Sequence, residues 1–537
     1  MTSIQSTILS SSSFPQTSAP LVVKSDNSYD AVPYGSYPIA ASHPDRMFAV
    51  AALFGLSPVP PESARILELG CAGGGNILPI ASQFPNANCV GIELSESQCE
   101  AANIAINFSG LKNIKITQGS IADVTPELGK FDYIICHGVF SWVPEPVREA
   151  ILRVSSENLS ENGVVYISYN TMPGWYLRGM VRDMMLRHVH GITDTAAKTA
   201  QARALLSFLV KSSESHQSPY ASYLRAEAEF LAKQPDLYLF HDHLEENNKP
   251  YFFQDFIRFA SQHGLQFLGE SNLATMWIGN LSAETSQKLE SIQDGVASGH
   301  YMDCIVGRSF RETLLVRLGL KISRSLEPTR LSEVRYLGSF KQESKSDSTE
   351  RKEYTAKNGQ IIFASERPSQ LAIEALSSAF PGSLTLDQIV AAMEIDVEAS
   401  GGQANVNRQQ TSTTLMQWAL AGYIDFRFQE DRLKVNGVEK PKVCSWARSQ
   451  ARAGRYITNL RHELIQVSDV ERQVIPLLDG TRDVMAIASE IAQKIGSGAI
   501  VVDSDALQLG RKGRELPLRI AQEMVEQFGK RGLLLFA

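Results

Sequence analysis

No stretch of 18 consecutive apolar residues occurs in the 537-residue chain, so no membrane-spanning helix and no membrane insertion are expected. Basic residues are missing from the start. The first 28 residues are rich in Ser and Thr and hold no Lys or Arg before Lys24. A secretory signal needs a basic head and an apolar centre, so none is expected, and residues 1–28 read as a disordered tail. Positive charge is in deficit overall, with 51 Lys and Arg against 58 Asp and Glu and a formal net charge of -7. Nothing in that balance points to a nucleic-acid binder, although a local basic patch stays open. Cysteine is sparse and scattered: Cys71, Cys89, Cys99, Cys136, Cys304 and Cys444 form no CxxC pair and have no His at zinc-finger spacing. Reduced thiols packed as small hydrophobes, in a cytoplasmic protein, are the expectation.

What is present is ordinary globular composition, 43% apolar and 20% charged, in a chain too long for one hydrophobic core; two to four domains are expected. From Arg65 onward short apolar runs alternate with segments of helical spacing. ARILELG (64–70), NCVGIELS (88–95), IKITQGS (114–120), FDYIICHG (131–138) and VVYISYN (164–170) read as strands. NILPIASQF (76–84), SQCEAANIAINFSG (97–110) and PVREAILRVSSENLSENG (146–163) read as helices. This alternation predicts βαβ units and a parallel sheet, which binds its ligand beyond the carboxyl ends of its strands. Residues 175–235 are helical by spacing, and FFQDFIRFASQHG (252–264) is a further helix. LQFLGES (265–271) and RSFRETLLVRLG (308–319) supply two late strands and complete a seven-stranded, doubly wound α/β sheet, leaving 176–250 as an inserted helical lid over the ligand edge.

KQESKSDSTERKE (341–353) reads as a polar loop or linker. Residues 371–537 hold a faint duplication, 371–393 with 414–428 and 470–492 with 520–537. Each copy has the element order of a winged helix; chance similarity of two three-helix segments is the alternative. The helices that would recognise DNA, DQIVAAMEID (387–396) and RDVMAIASEIA (482–492), are neutral to acidic, which favours a protein contact or a homodimer over nucleic acid.

RILELGCAGGGN (65–76) follows the first strand of this pattern and opens a helix. Glycines there let the backbone approach a ligand at the helix N-terminus; a loop that merely happens to be rich in small residues is the plain alternative. The dinucleotide pattern G-x-G-x-x-G fails, because Ala72 stands where the second glycine belongs. Two acids strengthen the case for a ligand. Glu93 ends the second strand, at the spacing from the loop where a carboxylate hydrogen-bonds both hydroxyls of a ribose; a surface acid in a turn is the alternative. Glu68 precedes the glycines, at a depth where a dinucleotide needs no partner, and suits a ligand with an ammonium group. The combination E-L-G-C-A-G-G-G followed by I-E-L resembles the class I S-adenosylmethionine-dependent methyltransferases over residues 64–170.

The resemblance implies S-adenosyl-L-methionine as cofactor and a set of residues to hold it. Gly70, Ala72 and Gly74 would form the loop under the methionine moiety, with Glu68 orienting that moiety and Asn76 among the contacts. Glu93 would hold the ribose, with Leu94 beside the adenine. Ser120 and Ile121 would flank the adenine, Ser120 standing where many relatives carry an Asp that bonds the adenine amine. His137 ends the fourth strand, where the cofactor's methyl group and the substrate meet. Tyr34, in the cluster Tyr29, Tyr34 and Tyr37, would contact the cofactor near its carboxylate or methyl, in a segment that closes over the site. His43 could cap the helix that follows.

Four further stretches narrow the resemblance: YDAVPYGSYPIAASHPDRMFAVAALFGL (29–56), CHGVFSWVP (136–144), YNTMPGW (169–175) and HDHLEENNKPYFFQDF (241–256). They are similar to methyltransferases that carry a methyltransferase regulatory domain and, within that group, to rickettsial-type protein lysine methyltransferases. This implies N-methylation of lysine in a protein substrate. A peptide or small-molecule natural product is the alternative substrate, and a non-catalytic scaffold the reading from another class. The expected division is a methyltransferase domain over 29–320 with the regulatory or lid insertion at 176–250, then winged-helix-like domains over 321–435 and 436–537, making the C-terminal part α+β.

Near the chemistry the candidates are His137, Tyr34, Trp142 and Asn170. His137 is the acid/base candidate, with a structural histidine as the alternative. Trp142 and Trp175 either wall a channel for the aliphatic lysine chain or pack between sheet and insertion. Asn170 and Tyr169 are expected to face the cleft. HDHLEEN has metal-binding residue types, but amine methylation needs no metal, and an acidic lip for a cationic substrate is expected there instead.

Overall fold

A computed structural model describes residues 35–215, 217–324, 330, 333–342, 352–399, 406–433, 437–501 and 511–535. The tail 1–28, Tyr29, Tyr34 and the middle of the polar run 341–353 lie outside the described residues.

Seven strands form the central sheet: β1 (Arg65–Leu69), β2 (Asn88–Glu93), β3 (Ile114–Gln118), β4 (Phe131–Cys136), β5 (Leu159–Asn170), β6 (Leu265–Glu270) and β7 (Phe310–Arg317). Their order is β3-β2-β1-β4-β5-β7-β6. The first five are parallel, and β7 runs antiparallel between β5 and β6. Helices cover both faces, so the inner strands read as nearly continuous apolar runs. Ile66, Tyr133, Ile135 and Tyr166 face one core. Leu67, Ile134 and Ile167 face the other, against Ile151 and Leu152.

The early helices are α1 (Pro44–Leu53), α2 (Ile77–Gln83), α3 (Glu96–Ser109) and α4 (Glu145–Glu157). His43 caps α1, its Nδ1 accepting the Asp45 N–H at 3.3 Å, with Pro44 at the first helical position. Ser95 Oγ accepts the Gln98 N–H at the start of α3, and Gly110 ends it at φ 72°. Helix α4 stops at Glu157 rather than at 163 as its spacing suggested. The Asn158 side-chain amide donates to the carbonyls of Thr125 and Gly129 and fixes the chain there, so β5 starts at Leu159 instead of 164.

The insertion comprises α5 (Trp175–His188), α6 (Thr195–Ser212) and α7 (Pro219–Ala232), around a small core of Val181, Met185, Leu206, Leu224 and Leu231. Helix α8 (Phe253–Gln262) leads back into β6, and α9 (Ala283–Glu290) and α10 (Gly295–Val306) lie between β6 and β7.

Two winged-helix units follow. In the first, β8 (Arg335–Leu337) pairs with β12 (Leu384–Thr385) and β13 (Asp425–Arg427) beside α11 (Arg367–Ala379), α12 (Leu386–Ala399) and α13 (Arg408–Ala421). Strands β9 (Phe340–Gln342), β10 (Lys352–Ala356) and β11 (Ile361–Ala364) form a separate antiparallel sheet. The described ends of the run read as a loop are therefore strands. The second unit has α14 (Ser445–Ala453), the hairpin β14 (Tyr456–Thr458) and β15 (Leu464–Gln466), α15 (Val484–Gly496) and α16 (Arg511–Lys530). Gly422 at φ 82° follows α13, and Gly532 at φ 69° follows α16.

Neither unit is strung out from the sheet. Met47 and Val50 of α1 share one continuous core with Leu415, Leu420 and Ile424 of the first unit, and Arg46 pairs with Asp425. Leu78 of α2 belongs to the core of the second unit, with Val443, Trp446 and Ile457. Five cysteines are buried and Cys304 is exposed. Among the described residues no helix is long and apolar enough to cross a membrane.

Candidate active site

The strand order reverses between β1 and β4, so the loops that follow these two neighbours part and open a crevice beyond their carboxyl ends. The glycine loop fills the β1 side. Gly70 at φ 73° and Gly74 at φ 80° take left-handed backbone, and so does Ala72 at φ 47°. That conformation costs a non-glycine residue roughly 1–2 kcal/mol. It is offset here by a charge-assisted bond, since the Ala72 N–H donates to Glu93 Oε2 at 2.8 Å. Glu93 Oε1 accepts the Ser95 N–H at 2.9 Å. Glu93 therefore fixes the loop and the next helix together, and each oxygen retains a second acceptor position for a diol.

Glu68 faces this turn from within the fold. It is 3% exposed; Oε1 accepts from Asn76 Nδ2 at 2.7 Å, and Oε2 is buried with no hydrogen-bond partner. Burial pushes its carboxyl up to about 8; the Asn76 hydrogen bond and the Ile77 backbone N–H oppose the rise, and the charge of Glu93 adds to it. An orphaned, buried carboxylate oxygen beside a glycine loop suits an ammonium group. The raised value also fixes a sign. In the free protein the stability that Glu68 contributes while protonated is full below the ordinary carboxylate value and is lost as pH rises through about 8. Thermal melts from pH 5 to 9 are expected to show this loss in the wild type and to be flatter for Glu68→Gln.

The segment 35–43 lies across the loop. The Gly75 N–H donates to Ser36 Oγ at 2.5 Å and the Ile39 N–H to Asn76 Oδ1 at 2.9 Å. A Cβ on Gly75 would sit 2.2 Å from the backbone C and O of Ser36. Tyr37 is partly buried in this strap, whereas Tyr34 lies outside the described residues.

On the β4 side, His137 Nδ1 lies 2.9 Å from the Tyr166 hydroxyl, which donates to Glu312 Oε1 at 2.8 Å. Because the phenol proton goes to the carboxylate, His137 donates from Nδ1 and keeps its lone pair on Nε2. Burial lowers its imidazole to about 4, so it is neutral at pH 7. The ring stacks on Tyr166 and meets Phe310 edge-on. Ser168 Oγ accepts the Gly138 N–H at 2.8 Å and fixes the turn after His137. Tyr166, Ser168 and Asn170 alternate along β5. Of these three only Asn170 is among the sequence candidates, beside Tyr169, although three polar residues at a period of two in a buried strand are a legible signal.

Asn170 is 3% exposed; its N–H donates to Ser141 Oγ, and its Nδ2 is buried without a partner. Tyr169 corrects an expectation. The same period turns it to the opposite face, stacked on Phe256 with ring centres 3.9 Å apart and its hydroxyl 3.3 Å from Thr313 Oγ1, away from the cleft. Trp142 and Trp175 meet edge to face at 6.0 Å, Trp175 buried at the start of α5 and Trp142 partly exposed. The pair joins the sheet edge to the insertion. Leu94 is 57% exposed and Ile121 buried. Ser120 Oγ accepts the Ala122 N–H at 3.2 Å and caps a short turn. His241 and His243 are buried in a turn of π-helix, with His243 3.4 Å from Glu227 of α7. They belong to the interior of the lid; of the two glutamates that follow, only Glu246 is exposed. Among the described residues no group of three or more His, Cys, Asp or Glu is placed to hold a metal ion.

Three family profiles match the chain: "Methyltransferase domain" over 66–163, "Predicted methyltransferase regulatory domain" over 235–317 and "PKMT, C-terminal winged helix domain" over 439–533. The second takes in α8, β6 and β7 rather than α5 to α7. The uncharacterized protein RP789 of Rickettsia prowazekii is 36% identical over 526 residues, 96% of this chain and 94% of that protein. The structure of PKMT2 from Rickettsia typhi matches with a TM-score of 0.83 at 28% identity, covering 94% of this chain and 100% of that one. Its complex with AdoHcy matches with a TM-score of 0.82 at 29% identity. The chain belongs to the class I S-adenosylmethionine-dependent methyltransferases that carry a methyltransferase regulatory domain, and in that group it is similar to the rickettsial PKMT proteins.

Proposed function

We propose that this methyltransferase transfers methyl groups to the side-chain nitrogen of lysine in a protein. The observation that carries the reading is the full-length likeness to Rickettsia typhi PKMT2, winged-helix units included. In this reading Gly70, Ala72 and Gly74 lie under the methionine end of the cofactor. Glu68 Oε2 takes its ammonium, Glu93 its ribose, and Leu94, Ser120 and Ile121 surround the adenine. S-adenosylmethionine, when bound, supplies a methyl group already activated on a sulfonium. The chain's own task is therefore to position an amine and strip it of water.

His137 orients that amine by accepting its hydrogen bond at Nε2. Tyr166 and Glu312 hold the tautomer that makes this possible. A histidine held near 4 is a poor store for the amine's proton at neutral pH, and water takes it. The exposed side of Trp142 and the buried amide of Asn170 complete the edge. Tyr166→Phe removes the hydroxyl that orients His137. It is expected to lower kcat about tenfold while leaving S-adenosylhomocysteine affinity within twofold. Stopped-time assays paired with calorimetry check this.

The winged-helix units suit a protein contact, a second copy of the chain included, in the cytoplasm. Helix α12 holds no Lys or Arg, and its Asp396 and Asp387 are paired with Arg367 and Arg408, so it offers no run of positive charge. The function is tested by incubating the protein with methyl-labelled S-adenosylmethionine, a lysine-rich unfolded protein and a metabolite extract. Label recovered as methyl-lysine after hydrolysis is the expected result. Label confined to small molecules overturns the protein-substrate reading.

A further inference from the structure

The second winged-helix unit reaches the cofactor loop from behind. Its hairpin β14–β15 turns through residues 459–463, and the tip carries His462 in left-handed backbone at φ 58°. Asn459 shapes the turn, its Oδ1 accepting the N–H groups of Arg461 and Glu463, both at 2.9 Å. His462 is 1% exposed, and its Nε2 lies 2.7 Å from Asn76 Oδ1. The orientation of Asn76 is settled by its other bonds: Oδ1 accepts the Ile39 N–H and Nδ2 donates to Glu68. His462 is therefore the donor, through Nε2–H, and its Nδ1 is buried without a partner.

The turn is gripped on every side. Arg461 donates to the Pro381 carbonyl and pairs with Asp431 at 2.9 Å in the first unit, and the Leu460 N–H donates to the Gly532 carbonyl at 2.8 Å. The Asn459 carbonyl accepts a long bond, 3.5 Å, from Gln83 at the end of α2, while Leu78 of α2 lies in the core of the same unit. Both ends of the helix that opens at the glycine loop are thus held by one hairpin.

We propose that His462 is a positioning residue for the cofactor: by fixing Asn76 it fixes Glu68, so that cofactor binding and docking of the C-terminal unit favour each other. The inference rests on the placement of the cofactor's ammonium at Glu68 given above. Simple packing does not account for this residue. Glycine takes left-handed backbone more readily, and an apolar ring would meet the His43 ring, centres 4.9 Å apart, without an orphaned nitrogen.

Calorimetry with S-adenosylhomocysteine on the full chain tests it, comparing the wild type with His462→Phe, His462→Gln and Glu68→Gln. Phenylalanine keeps the ring and loses the donor. It is expected to weaken binding about tenfold and to raise KM for S-adenosylmethionine in proportion, with kcat within twofold. Glutamine offers an N–H again and is expected to recover most of the loss; failure to recover counts against the donor role. Wild-type affinity in His462→Phe together with weakened binding in Glu68→Gln overturns the coupling and leaves the cofactor seat standing. Wild-type affinity in Glu68→Gln overturns the seat itself. If His462→Phe does not fold, hydrogen exchange on the wild type decides. S-adenosylhomocysteine is expected to slow exchange in 456–466 as well as in 70–76, and protection confined to 70–76 overturns the proposal.

Discussion

Replacing Glu93 by alanine is expected to weaken S-adenosylhomocysteine binding by at least a factor of about a hundred. Two contributions add. A ribose held by a carboxylate gains two charge-assisted hydrogen bonds, each worth about 1.5–3 kcal/mol when the partner is charged. Even the lower figure for both gives about 3 kcal/mol, more than two decades of affinity. Glu93 also accepts the N–H groups of Ala72 and Ser95, so alanine releases the left-handed turn at Ala72 that shapes the loop. Glu93→Gln separates the two. One oxygen still accepts, but the amide nitrogen opposes the second N–H, and an intermediate loss is expected. Calorimetry on the three proteins reads this directly. An alanine variant that binds within a few-fold of wild type places the ribose elsewhere.

Gly75→Ala should unseat the strap that crosses the loop. The added Cβ would lie 2.2 Å from the Ser36 backbone and 2.6 Å from the Tyr37 nitrogen, and backbone cannot swing aside as a side chain can. Lifting the strap breaks the bonds Gly75 to Ser36 and Ile39 to Asn76. Overpacking of this kind costs about 1–3 kcal/mol, and the lost bonds add to it. The expected result is a clear fall in Tm of the free protein and weakened S-adenosylhomocysteine binding. Gly73→Ala is the control. Its nearest neighbours, Gln98 Oε1 and Ser36 Cβ, are 3.5 Å away, so its melt without ligand should stay close to wild type. Equal melts for the two variants would show that the strap is not clamped on Gly75.

Much of the candidate site is legible in the sequence because its residues stand where strands end. Glu68, the glycines and Glu93 lie within one βαβ unit, and a buried strand closed by glycine announces itself in a single apolar run. The seven strands were legible for the same reason; the antiparallel course of β7 was not, because periodicity carries no direction. VVYISYN displays Tyr166 and Ser168 at alternate positions, and the same period turns Tyr169 to the face opposite the cleft. The extent of α4 misled because Asn158 ends it through bonds to loops, which helical spacing does not encode. His462 could not be read at all: 386 residues separate it from Asn76, and no local pattern predicts a contact of that range.

The placement of the cofactor between Glu68 and Glu93, beneath the 35–43 strap, is tested most directly by a crystal structure of the chain with S-adenosylhomocysteine. The prediction is an amino group within hydrogen-bond distance of Glu68 Oε2 and both ribose hydroxyls on the Glu93 carboxylate, with the strap in place above the loop. A nucleoside seated away from Glu93, or a Glu68 Oε2 still unpartnered in the complex, would contradict it.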